Sequence, residues 1–149
     1  MQLTPKPNLS QLNIVQTNWQ DAENELRAAR TPVFIIEQLV TAEFEWDDID
    51  ATAVHLLATL EGAPIGCLRI IDYHKIGRMA VLKQYRKMGV GAALLGFAET
   101  ICKQHGSAQM VLSAQTHAIG FYQRCGFIVT SAVYQDLHIP HVDMQKGLY

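Results

Sequence analysis

Arg86-Lys87-Met88-Gly89-Val90-Gly91 is the stretch on which the reading of this chain turns. Before it runs an apolar segment, Ile76 to Leu82, which predicts a strand. After it, Leu94, Ala98, Ile101 and His105, flanked by Leu95 and Cys102, form a stripe at helical spacing. The stripe predicts a helix from about Val90 to His105, closed by Gly106. A helix start offers free backbone N–H groups and the positive end of its dipole. Gly89 and Gly91 let the backbone approach an anion closely, and Lys83, Arg86 and Lys87 add positive charge. Spacing alone fits either a phosphate-binding turn or a basic helix start. Two familiar phosphate loops do not fit. The dinucleotide fingerprint lacks its third glycine, since Leu94 stands there, and Ser113-Ala114-Gln115 offers no acid for a ribose. No Gly-Lys-Ser/Thr triplet occurs for a Walker loop.

Working outward, Leu12 to Gln16 predicts a first strand, and Thr17 caps a helix through Arg30 carrying Trp19, Ala22, Leu26 and Ala29 on one face. Thr31-Pro32 predicts a fresh helix start, with a second helix over Val33 to Val40. Glu43, Glu45, Asp47, Asp48 and Asp50 around Phe44 and Trp46 read as an acidic, partly ordered loop. Ala53 to Leu60 and Ile65 to Asp72 read as a hairpin about Glu61-Gly62-Ala63-Pro64. Downstream come a strand at Met110 to Ala114 and a short helix at Thr116 to Cys125. The last strands are expected at Ile128 to Tyr134 and His141 to Gln145. A strand, a helix and a strand from Ile76 to Ala114 imply a parallel pair with a right-handed crossover, hence an α/β fold on a mixed sheet.

The 149 residues are the size of one domain, 1–149, large enough for a core without disulfide or metal staples. Twelve basic against fourteen acidic residues argue against a general nucleic-acid binder. Cys67, Cys102 and Cys125 form no Cys-x-x-Cys pair, so no zinc or redox site is expected and reduced thiols fit a cytoplasmic protein. Pro5 and Pro7 suggest a loose start, and Met1 to Gln16 has no apolar core of a signal peptide. No apolar run approaches the ~20 residues of a membrane helix, so no membrane partner is expected.

Arg86 to Gly91 also matches Gln/Arg-x-x-Gly-x-Gly/Ala, with Arg78-Met79-Ala80-Val81 upstream in the place of a fourth strand. Ala118-Ile119-Gly120-Phe121-Tyr122-Gln123-Arg124-Cys125-Gly126-Phe127 resembles an A-x-x-F-Y-x-x-x-G-F block. Together these motifs resemble the GNAT acyltransferase superfamily over about residues 12 to 146. The segments Phe34 to Gln38, Glu43 to Asp47 and Ile139 to His141 resemble a small bacterial branch of it. The resemblance implies a single-domain GNAT-like fold, a mixed, mostly antiparallel sheet with a splayed parallel central pair flanked by helices. It implies acetyl-coenzyme A as acyl-donor cosubstrate and direct attack by a primary amine of a small molecule or peptide. Met79, Ala80 and Val81 would pair with the pantetheine arm, and an N–H near Val81 would polarise the thioester. Backbone N–H groups of Lys87, Met88, Gly89, Val90 and Gly91 would hold the pyrophosphate, with Ala92 packed close behind and Arg86, Ala114, Ala118, Phe121 and Tyr122 completing the coenzyme site. Members of the superfamily often dimerise, so a homodimer is admitted.

Tyr122 is the implied general acid for the leaving thiolate; its alternative is a core aromatic beside Phe121 and Phe127. The fourth strand, which carries a glutamate in some members, has no carboxylate here. Glu37, the acidic group Glu45/Asp47/Asp48 and His141 are therefore the candidates for receiving the amine or its proton. For the acidic group the alternative is a solvated surface, and for His141 a structural role. A chain that only binds and senses acyl-coenzyme A is the rival to an enzyme, and a nucleotide-binding protein is a second.

Overall fold

The computed structural model describes residues 9–149, so the expectations for Pro5 and Pro7 lie outside the described residues and that for Met1 to Gln16 partly so. Its centre is one sheet of eight strands: β1 (Leu12–Thr17), β2 (Val54–Leu60), β3 (Ala63–Ile71), β4 (Lys75–Val81), β5 (Gln109–Gln115), β6 (Ile128–Val129), β7 (Tyr134–Asp136) and β8 (Ile139–Gly147). The order is β1-β2-β3-β4-β5-β8-β6, with β7 paired to β8. Neighbours run antiparallel except β4 and β5, the parallel pair that the strand–helix–strand pattern required.

Helices cover both faces. α1 (Trp19–Arg30) starts at Asn18, whose side chain accepts the Asp21 N–H at 2.8 Å, so the cap stands one residue beyond the expected Thr17. α1 buries Ala22, Leu26 and Ala29 against Leu57, Cys67 and Ala80. α3 (Val90–Gln104) covers the opposite face, where Leu94, Ala98 and Ile101 meet Leu56, Ile70, Ile76, Leu112 and Met144. The strands alternate as a two-faced sheet demands: Leu56 and Ala58 face α3 while Leu57 faces α1. Two shorter helices are α2 (Ala42–Glu45) and α4 (Ile119–Arg124).

The fresh helix expected at Thr31-Pro32 does not form. The chain continues from α1 into a π-helical segment, Thr31–Glu37. Pro32 has no N–H for an α-helical bond, and the wider turn lets Gln38 N–H reach Val33 O at 3.1 Å. The carboxyl-terminal strands also differ from expectation. β6 is only Ile128–Val129, and Leu137 and His138, both left-handed (φ 47 and 64), turn β7 into the longer β8. Two adjacent residues at positive φ make a tight hairpin without asparagine or glycine, which strand and turn preferences do not suggest.

β4 contains the irregularity that shapes the cleft. Its pairing with β3 shifts between Cys67/Ala80 and Arg69/Gly77, which leaves one extra residue on β4, and Arg78 there is left-handed (φ 44). Ile76 and Ala80 are an even number apart, yet Ile76 lies in the α3 core and Ala80 in the α1 core. A bulge is what reverses the alternation between them. It aims Met79 and Val81 at the α3 side and leaves Arg78 free to cross to the α2 side.

Candidate active site

The parallel ladder between β4 and β5 has two rungs, Lys75↔Val111 and Ile76↔Leu112. Past them the strands part, Gly77 to Val81 staying with β3 and Ser113 to Gln115 with β8. The result is a V-shaped opening whose β4 edge carries Met79, Ala80 and Val81. The amino-terminal end of α3 stands beside it.

The loop leading into α3 has the conformation its glycine spacing demands. Gly89 is left-handed (φ 89) and forms the N-cap, and Lys87 is left-handed too (φ 61). Left-handed residues thus stand on both sides of Met88. A Cβ on Gly91 would lie 3.1 Å from Phe121 Cζ, so glycine lets the first turn of α3 rest on α4. Ala114 is buried on β5, while Ala118 and Phe121 are half-buried ahead of and in α4. Arg86, Lys87 and Gly89 are exposed, Met88 is half-buried, and Val90 is buried as the first residue of the helix.

Tyr122 on α4 packs edge-on to Phe121 and Phe127, with ring centroids 5.1 and 5.8 Å away. Burial, with a smaller push from Cys125, raises its hydroxyl to about 12, so it carries its proton throughout the neutral range.

Glu37 is placed differently from the free carboxylate the sequence suggested. Both its oxygens accept from Arg86, at 2.9 and 2.7 Å, while Arg86 Nε donates to Val81 O at 2.9 Å. The Arg86 hydrogen bond holds the carboxyl below the usual glutamate range, with the charges of Arg86 and Lys83 adding to it. A carboxylate so stabilised is a weak proton acceptor. Its neighbour Gln38 exchanges side-chain amide bonds with Gln115 (2.7 and 3.2 Å), bridging the π-helical segment to the end of β5. Gln115 pairs with His141, whose Nδ1 bonds Ile139 O at 2.8 Å and whose ring stacks on Tyr134. Glu37 and His141 thus flank one opening from opposite rims, Glu37 on the side of the loop before α3.

The acidic stretch corrects the sequence reading more strongly. Glu45 and Asp50 are 3% and 1% exposed, not part of a solvated loop. Arg30, itself 1% exposed, donates to Glu45 Oε2 (2.7 Å), Glu45 O (2.7 Å) and Asp50 Oδ1 (2.8 Å). Arg69 reaches Asp47 (2.7 Å) and Asp50 (3.0 Å), and Arg78 from the β4 bulge reaches Asp47 Oδ2 and the Phe44 and Glu45 carbonyls. The Trp19 and Trp46 rings both pack against the Arg30 guanidinium. These carboxylates are therefore spent on arginines, and Glu45 cannot draw in a cationic amine. The sequence hid this because a run of acids looks the same whether or not arginines 15 to 33 residues away fold onto it.

A further array had no signal in the sequence. Tyr134 donates to Asp143 Oδ1 at 2.6 Å, and the Ser113 hydroxyl meets that of Tyr134. The register of β5 against β8, Ser113↔Asp143, and the pairing of β7 with β8, Tyr134↔His141, bring the three together.

A family model for the acetyltransferase (GNAT) domain matches residues 19–148. The uncharacterized N-acetyltransferase YjcF of Bacillus subtilis is 34% identical over 131 residues, covering 83% of this chain and 94% of that one. The crystal structure of Escherichia coli ElaA superposes with a TM-score of 0.81 at 26% identity, over 91% of this chain and 99% of that chain. That of an acyl-CoA N-acyltransferase from Pseudomonas aeruginosa gives 0.79 at 28%, over 91% and 99%. Among the described residues no helix is long and apolar enough to cross a membrane.

Proposed function

The chain belongs to the GNAT acetyltransferase family and is an acyltransferase, and from that premise we propose that it moves an acetyl group from acetyl-coenzyme A to a primary amine of a small molecule or peptide. The observation that carries the reading is the divergence of β4 from β5 after Ile76↔Leu112, beside the glycine-bearing start of α3.

In this reading the pantetheine arm lies in the opening as an extra strand against Met79, Ala80 and Val81. The N–H groups of Lys87 to Ala92 receive the pyrophosphate at the positive end of α3, with Ala114, Ala118 and Phe121 packing around the arm. An N–H near Val81 takes the thioester oxygen as charge develops on it. The amine attacks the carbonyl carbon directly; the C–N bond forms, the C–S bond breaks, and the electron pair goes to sulfur. Tyr122 supplies the proton to that sulfur. The phenol is the weaker acid in water by about 1.5 units, a gap small enough for proton transfer, and apolar surroundings that raise Tyr122 also raise a thiol beside it. Arg86 braces the loop through Val81 and Glu37 rather than through a free guanidinium.

Two measurements test this together. Acetyl-coenzyme A should raise the melting temperature, and primary amines should release free thiol from it in proportion to acetylamine formed. Binding without transfer to any primary amine supports a sensing module instead; no binding removes the coenzyme assignment.

A further inference from the structure

α1 packs on β2, β3 and β4, and beyond it, over β5 and β8, lies a cavity of about 490 Å³. Its walls include Lys75, Val111, Ser113, Tyr134, Asp136 and Asp143. Lys75 and Val111 form one of the two rungs of the parallel ladder, and Ser113 is the first residue of β5 past the other. The cavity therefore reaches the vertex of the V, on the face away from α3. Its volume suits a small molecule.

The hydroxyl chain inside it has a direction. Tyr134 has one proton and gives it to Asp143, so the Ser113 hydroxyl must donate to Tyr134. The lone pairs of Ser113 are then left for a donor in the cavity. The array is held from behind, since the Asp143 N–H donates to Ser131 Oγ at 2.8 Å and the His141 ring stacks on Tyr134. Lys75 from β4, Asp136 from β7 and Asp143 and His141 from β8 are the titratable groups around Tyr134. Among the cavity walls two carboxylates stand against one ammonium, an excess of one negative charge that a monocation balances.

We propose that this cavity binds the acceptor as a singly charged primary ammonium, and that Ser113, Tyr134 and Asp143 relay away the proton it must lose. The proposal rests on the acyl-transfer reading above. An alkylammonium with a pKa near ~10.4 is almost wholly protonated at pH 7, and only the free amine attacks. Its proton passes to Ser113 as the Ser113 proton moves to Tyr134 and the Tyr134 proton to Asp143, which returns it to solvent. The neutral nitrogen then attacks the acetyl carbon, and the proton it sheds on becoming an amide replaces, through solvent, the one Tyr122 gives to sulfur.

The test uses n-butylamine as the probe with coenzyme A or acetyl-coenzyme A bound to the full chain. By NMR with coenzyme A present, n-butylammonium should shift Val111, Ser113 and Tyr134 resonances. D143N should weaken it about tenfold or more, and 1,4-diaminobutane should bind more weakly than n-butylammonium. Y134F should lower kcat/KM for acetylation by about 10²-fold at pH 7, converging on wild type as pH nears ~10, with melting temperature and acetyl-coenzyme A affinity unchanged. Shifts elsewhere, indifference to D143N, preference for the diamine or an unaltered Y134F pH profile would overturn the proposal. Failure of wild type to bind acetyl-coenzyme A would instead overturn the acyl-transfer reading, and the butylammonium titration still decides the cavity.

Discussion

Arg86 grips both carboxylate oxygens of Glu37, at 2.9 and 2.7 Å, across 49 residues of chain. Because its Nε also holds Val81 O, one side chain ties the loop before α3 to the end of β4 and to the π-helical segment above the opening. That pairing holds the Glu37 carboxyl below the usual glutamate range.

Glu37→Gln should accordingly raise KM for acetyl-coenzyme A about 1.5- to 5-fold, the effect of losing a partly exposed ion pair. The pH profile of kcat should run parallel to wild type. Steady-state kinetics across pH decide this, and a deficit confined to low pH would return the base role to Glu37.

Gly89 adopts φ 89 at the N-cap of α3, a conformation a β-branched residue resists. Acetyl-coenzyme A at about a hundred times its Kd should stabilise wild type by ~2.7 kcal/mol, or several degrees of melting temperature. Gly89→Val should erase most of that rise, as read by thermal shift with and without coenzyme.

Tyr122→Phe removes the proton donor while keeping the ring between Phe121 and Phe127. Turnover should fall by about 10²-fold or more with coenzyme affinity nearly intact. Retained turnover alongside a normal fold would leave Tyr122 as packing.

Arg30 serves two buried carboxylates and packs against two tryptophans. Arg30→Met should destabilise the fold by about 3–5 kcal/mol, because Glu45 and Asp50 stay buried with a partner missing. Chemical denaturation measures the loss. A change below about 1 kcal/mol would mean that Arg69 and Arg78 suffice for both acids.

His55, 1% exposed, bonds Asp50 O through Nε2. Burial holds its pKa below the ordinary imidazole value despite the opposing pull of that bond and of the Asp50 charge. Below about pH 6.5 the unfolded chain gains a proton here that the folded chain resists. Stability from this group is therefore full above about 6.5 and falls as pH drops toward the folded pKa, by at most ~1.4 kcal/mol per pH unit. His55→Gln should show a flatter decline of melting temperature between pH 7 and 5 than wild type.

What the sequence determined by itself was local. The stripe through Leu94, Ala98 and Ile101 needed a helix, Gly89 needed a residue free to turn left-handed, and strand–helix–strand order needed β4 and β5 parallel. Each follows from short-range geometry, which neighbouring residues encode. The tertiary structure alone decided which charges meet. Whether Glu45 faces water or Arg30, and whether Glu37 is free or held by Arg86, depends on partners 15 and 49 residues away. The bulge at Arg78 and the register that sets Ser113 against Asp143 likewise exist only once strands pair. Carboxylate, hydroxyl and guanidinium groups carry no periodic pattern naming their partners. Their pKa values and roles are therefore fixed by burial and contact, which arise only in the folded chain.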